Sequence, residues 1–109
     1  MLIFIYCADR AGAGAVRERA RLQHLEYMVA NTDKLVFGGL LPASPGERGI
    51  SSIFVLELPT MDAAEDFLAG EPYNQAGLFD SVEIRAFQQM WPEPEPGTLK
   101  RALRRERER

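Results

Sequence analysis

The chain has 109 residues, 46% of them hydrophobic and 27% charged, with a net charge of −3 at pH 7. Those values fit one ordinary soluble globular domain, large enough to bury roughly 60–70% of its unfolded surface without a disulfide or metal staple. One cysteine, Cys7, and one histidine, His24, exclude an internal disulfide and offer no spacing for a structural zinc site.

A reducing, cytoplasmic compartment follows as an expectation, and neither a metal nor a cofactor is expected. No stretch approaches the ~20 apolar residues of a membrane span, and the apolar start lacks the basic flank of a signal peptide. Charge is uneven: residues 1–92 carry 7 basic and 12 acidic side chains, whereas residues 97–109 carry 6 basic and 2 acidic.

In chain order, Leu2–Ala8 is apolar on both alternating faces and rich in β-branched and aromatic residues, which predicts a central strand. Cys7 lies within it and reads as a small buried hydrophobe rather than a nucleophile. Asp9 to Gly14 holds two glycines and reads as a loop. Ala15–Ala30, free of proline and glycine, is a helix ended by Asn31-Thr32-Asp33. Arg21, His24, Leu25 and Met28 stand at i, i+3, i+4 and i+7 on one stripe. A second apolar line, Ala15, Leu22, Leu25 and Val29, with Val16, Ala20 and Tyr27 on the far side, predicts cover on more than one face.

Lys34–Leu41 is a second strand, and Gly38-Gly39 within it reads either as a bulge or as a place of close approach by a ligand or another backbone. The proline- and glycine-rich connection 42–49 leads to a third strand over Ile50–Leu58, completing a long-looped hairpin. Thr60 is a suitable N-cap for a helix over 61–69, Gly70 a natural stop, and Pro72 suits the first position of a short helical turn toward Leu78. Ser81–Met90 is the fourth strand, with Val82, Ile84 and Ala86 inward, Glu83 and Arg85 outward, and a break at Phe87.

The order βαββαβ closes into a four-stranded antiparallel sheet with both helices on one face, an α+β fold of ferredoxin-like type. The other sheet face is left apolar and bare, so a homodimer through that face is expected. Residues 1–92 form the domain, and 93–109 comprise a Pro/Glu spacer and a basic tail. That tail reads as a solvated helix rather than a nucleic-acid-binding element, since it has no interleaved aromatics.

Arg21-x-x-His24-Leu25-x-Tyr27-Met28, the Gly38-Gly39 strand, Ser52, and Glu71-Pro72-Tyr73-x-x-Ala76-Gly77-Leu78 together resemble the YciI-like, YCII-related family over roughly residues 1–90. The resemblance implies a ferredoxin-like domain paired as a dimeric α+β barrel, with a histidine and a carboxylate facing a pocket. It points to small-molecule chemistry, including elimination of hydrogen chloride from chlorinated aromatics. In the family the turn usually reads Asp-Pro-Tyr; here Glu71 holds the acidic position.

A carboxylate beside an imidazole can orient the ring as base or acid, which suits proton transfer near neutral pH. His24 and Glu71 are therefore the expected catalytic pair of a cofactor-independent lyase or isomerase, with dehydrohalogenation as one form. Arg21, Ser52, Tyr73 and Gly39 are expected to bind the substrate. Bland alternatives stand beside these: His24 as a satisfied helix-edge residue, Glu71 as a helix cap, and Arg21 as an ion-pair partner of Glu18, Glu26 or Glu71. A non-catalytic metabolite-binding or dimeric accessory module is the competing function.

Overall fold

The computed structural model describes residues 1–43, 45 and 49–109. Four strands, β1 (Leu2–Asp9), β2 (Leu35–Leu41), β3 (Ser51–Glu57) and β4 (Phe79–Ala86), alternate with α1 (Gly14–Ala30), α2 (Met61–Gly70) and the short α3 (Pro72–Gln75). A final helix, α4 (Thr98–Arg107), follows and contributes no buried residue. All pairings are antiparallel, in the order β2-β3-β1-β4. The fold is α+β and ferredoxin-like, as the periodicities predict. The expected irregular connection at 42–49 falls partly outside the described residues.

Period-2 alternation in β1 places Ile3, Ile5 and Cys7 under the helices, fully buried. Register sets Leu56, Phe54 and Ser52 of β3 opposite them in that order, and Ile84 of β4 opposite Ile5. Ala64 and Phe67 of α2 close this core, with Tyr27 and Met28 of α1 packed against it. A smaller cluster joins Ala13, Tyr73 and Leu78 to Val16 and Ala20 of α1. Thr60 caps α2 through its hydroxyl, which accepts from the Ala63 N–H at 3.1 Å.

Two expectations are corrected. The fourth strand runs from Phe79 to Ala86 and ends before Met90; the Phe87 N–H still donates to the Leu2 carbonyl at 3.0 Å, and its ring joins Phe4 and Phe37 on the far side of the sheet, with ring centroids 6.4 Å from each. Helix α1 is covered on one side only: none of its residues is fully buried, and Leu22, Leu25 and Val29 face outward. Its inward line is Val16, Arg17, Ala20, His24, Tyr27 and Met28. Polar anchors set that rotation: Arg17 is tied to Asp9, and the Tyr27 hydroxyl donates to the Phe67 carbonyl at 2.8 Å. Counting apolar residues alone could not see those anchors.

Candidate active site

His24 projects from the middle of α1 toward the turn between α2 and α3. Pro72 at the first position of α3 leaves Glu71 as its N-cap, and the carboxylate divides its two oxygens. Oε2 accepts from the Asn74 N–H at 3.3 Å, and Oε1 lies 2.6 Å from His24 Nδ1. Glu71 is fully buried and the His24 side chain largely so, at 15% exposure. A carboxylate in contact with Nδ1 favours a proton there and leaves Nε2 able to accept. One side chain thus both contacts His24 and caps α3.

Tyr73 stacks on the His24 ring at 3.9 Å between centroids and 13° between planes. The Arg17 guanidinium lies 4.7 Å from the centroid of the same tyrosine ring. Arg17, Ala20 and His24 stand at i, i+3 and i+7, and the methyl of Ala20 leaves room for Tyr73 against the helix. Tyr73 is 2% exposed, so it acts as a wall behind His24 rather than as a surface of the cleft.

Beyond His24, a cleft of ≈ 280 Å³ opens between α1 and the β2–β3 hairpin. Met28, Leu35, Phe37, Leu40 and Phe54 supply apolar lining, Gly38 and Gly39 supply backbone, and His24 and Ser52 supply the polar side chains. A Cβ on Gly38 would meet the Ile53 carbonyl at 2.6 Å, so this glycine is required by the close approach of β3. Gly39 has open space at the same position.

Arg21 lies outside this arrangement. It is exposed on α1 and does not line the cleft, because the helix turns its 17/20/24 face inward. The guanidinium that enters is Arg17, one turn earlier: Nε donates to Asp9 Oδ2 at 2.9 Å, and Nη2 to Asp9 Oδ1 at 3.1 Å and to Ser52 Oγ at 3.1 Å. Burial by itself lowers the Arg17 pKa, but the hydrogen bond and charge of Asp9 outweigh it and the net shift is upward. The sequence signal for this pair was an acid closing an apolar strand, followed eight residues later by an arginine in phase with His24.

Cys7 is fully buried beneath the site, its thiol pushed up to about 12 by burial and by the charges of Glu71 and Asp9 against the opposing charge of Arg17. It is a core atom rather than a nucleophile. Among the described residues, no group of three or more His, Cys, Asp or Glu side chains is placed to hold a metal ion. No helix there is long and apolar enough to cross a membrane.

Residues 1–88 match the YCII-related domain. The chain belongs to the YCII-related family. Protein YciI of Escherichia coli is 28% identical over 98 residues, spanning 84% of this chain and all of that relative. Among solved structures, 5-chloro-2-hydroxyhydroquinone dehydrochlorinase of Burkholderia phenoliruptrix, in complex with 2,5-dihydroxybenzoquinone, superposes with a TM-score of 0.74 at 26% identity. The match covers 82% of this chain and 95% of that one. SnoaB, a cofactor-independent oxygenase of Streptomyces nogalater, shares the fold with a TM-score of 0.56 at 21% identity, over 84% of this chain and 97% of that one.

Proposed function

We propose that this YCII-related protein is a cofactor-independent lyase or isomerase that moves a proton on a small hydroxylated ring, with loss of hydrogen chloride as the reaction to test first. The observation that carries this reading is the 2.6 Å contact of the Nδ1 of His24, which lines an apolar cleft, with the buried Glu71. A positioned imidazole of this kind contributes about 100- to 10,000-fold to proton transfer. The likeness to the Burkholderia dehydrochlorinase supports the choice of substrate class.

For 5-chloro-2-hydroxyhydroquinone the steps balance without oxidant or reductant. A ring hydroxyl beside the chlorinated carbon gives its proton to His24 Nε2, its electron pair moves into the ring, and the proton is returned to the carbon bearing chlorine. Chloride then leaves with the C–Cl bonding pair as a second ring hydroxyl loses its proton. Hydrogen chloride is lost and a hydroxybenzoquinone remains. Glu71 holds the imidazole in the tautomer that can accept at Nε2, and Tyr73 fixes the plane of the ring.

The test is chloride release from that substrate, followed by ion-selective electrode. Release by the wild type with loss of at least about 100-fold in His24→Ala supports the reading. No release by the wild type, or equal rates in both proteins, removes it. We further propose that a second copy covers the bare sheet face, where Phe37 and Leu41 are about half exposed.

A further inference from the structure

The Nη2 group of Arg17 serves two acceptors at once, Asp9 Oδ1 and Ser52 Oγ, each at 3.1 Å. A guanidinium can only donate, so the serine oxygen is the acceptor in that contact. A hydroxyl carries one proton, and among the described residues no hydrogen bond uses that of Ser52. Ser52 is 3% exposed, yet its exposed edge lines the cleft beside His24. With one lone pair engaged from behind, the O–H is free to turn toward the cleft.

The charge that stands behind Ser52 is also balanced. Asp9 meets Arg17 through both carboxylate oxygens, so Arg17 is committed to an ion pair rather than free to capture an anion. Among the described residues, no lysine or arginine lines the cleft itself. An oxygen of the ligand that gains partial charge would find one oriented donor there.

We propose that Arg17 is a positioning residue that fixes Ser52 as a hydrogen-bond donor to a phenolic, enolic or quinone oxygen of the ligand. The inference rests on the cleft being the substrate site and adds the identity of the oxygen-binding group. Ser52 touches the ligand; Arg17 and Asp9 act through it.

The experiment is a double-mutant cycle on binding of 2,5-dihydroxybenzoquinone, followed through the quinone's visible absorption. Ser52→Ala is expected to weaken binding by about 10-fold or more, as for a lost hydrogen bond to a charged oxygen. Arg17→Gln is expected to weaken it comparably, and the double variant no further, because both remove one interaction. Should Arg17→Gln fail to fold, Arg17→Lys takes its place, keeping the charge beside Asp9 while losing the planar fork.

Losses that simply multiply would overturn the role of Arg17. Wild-type affinity in Ser52→Ala, or no binding by the wild type at millimolar quinone, would overturn the inference entirely. Binding that follows the expected cycle with no chloride release from the chlorinated substrate would leave this inference standing and remove the proposed reaction.

Discussion

Glu71 and His24 lie 47 residues apart in sequence and 2.6 Å apart in space, and the carboxylate that orients the imidazole also caps the helix that carries Tyr73. The contact depends on side-chain reach. Glutamate reaches one methylene further than aspartate would from the same turn, so the contact fits the spacing between α1 and α3 found here.

Glu71→Asp is therefore expected to separate activity from stability. Aspartate is the better cap, so the bond to the Asn74 N–H is kept and the melting temperature stays near that of the wild type. The carboxylate retreats from His24 by about one carbon–carbon bond, and a misplacement of roughly 1 Å costs on the order of 100-fold in rate. Chloride release together with thermal unfolding checks this; equal loss of both would show that Glu71 acts mainly through packing.

A second prediction concerns Cys7. Its native thiol is pushed up to about 12 from 9.0, first by burial and then by Glu71 and Asp9. Between pH 9 and 12 the unfolded chain gives up this proton while the folded chain retains it. The stabilisation is complete below pH 9 and declines as pH rises, by at most about 1.4 kcal/mol per pH unit. Denaturant midpoints measured across that range should fall more steeply for the wild type than for Cys7→Ala. Tyr27, raised by burial and by Glu71, adds a shallower decline common to both proteins. Parallel curves would contradict the assignment, as would rapid labelling of the native thiol at pH 8.

The alternation in β1, the cap at Thr60 and Pro72 at the start of α3 were all legible, because each depends on local geometry that the residue types impose. The strand order followed from connection rules. The rotation of α1 was not legible, since Leu22, Leu25 and Val29 suggest a core face that the chain leaves outside. The pairs that turn the helix, Arg17 with Asp9 and Tyr27 with the Phe67 carbonyl, are long-range or cross a loop. His24 and the acidic turn, equally distant in sequence, were paired through the family resemblance, whereas Arg21, one helical turn after Arg17, was expected in a cleft that it does not line.

The glycine pair in β2 divides into two different roles. At Gly38 a methyl group would sit 2.6 Å from the Ile53 carbonyl, and a backbone atom cannot swing aside. Gly38→Ala should cost about 1–3 kcal/mol of stability through overpacking, with part of the cleft lost as β2 shifts. Gly39→Ala meets no atom within 4 Å and should melt within about 0.5 kcal/mol of the wild type. Thermal unfolding of both variants decides the point, and equal destabilisation would mean that the two residues are constrained by something other than contact with β3.

The bare face of the sheet gives the last prediction. Phe4, Phe37 and Phe87 form an aromatic group there, with Val55 fully buried in the same face and Leu41 at 46% exposure toward its edge. Register places Phe4 opposite Val55, and Phe37 opposite Val55 from the other side, so this is one continuous apolar surface rather than scattered side chains. Such a surface on a small domain is stabilised by a self-complementary partner. Sedimentation at micromolar concentration should give a dimer for the wild type. Leu41→Lys puts a charge on the face without touching the cleft lining, and should shift the protein to monomer. A monomeric wild type would refute the pairing. A dimeric Leu41→Lys would place the contact elsewhere, with the outward Leu22, Leu25 and Val29 line of α1 as the next surface to substitute.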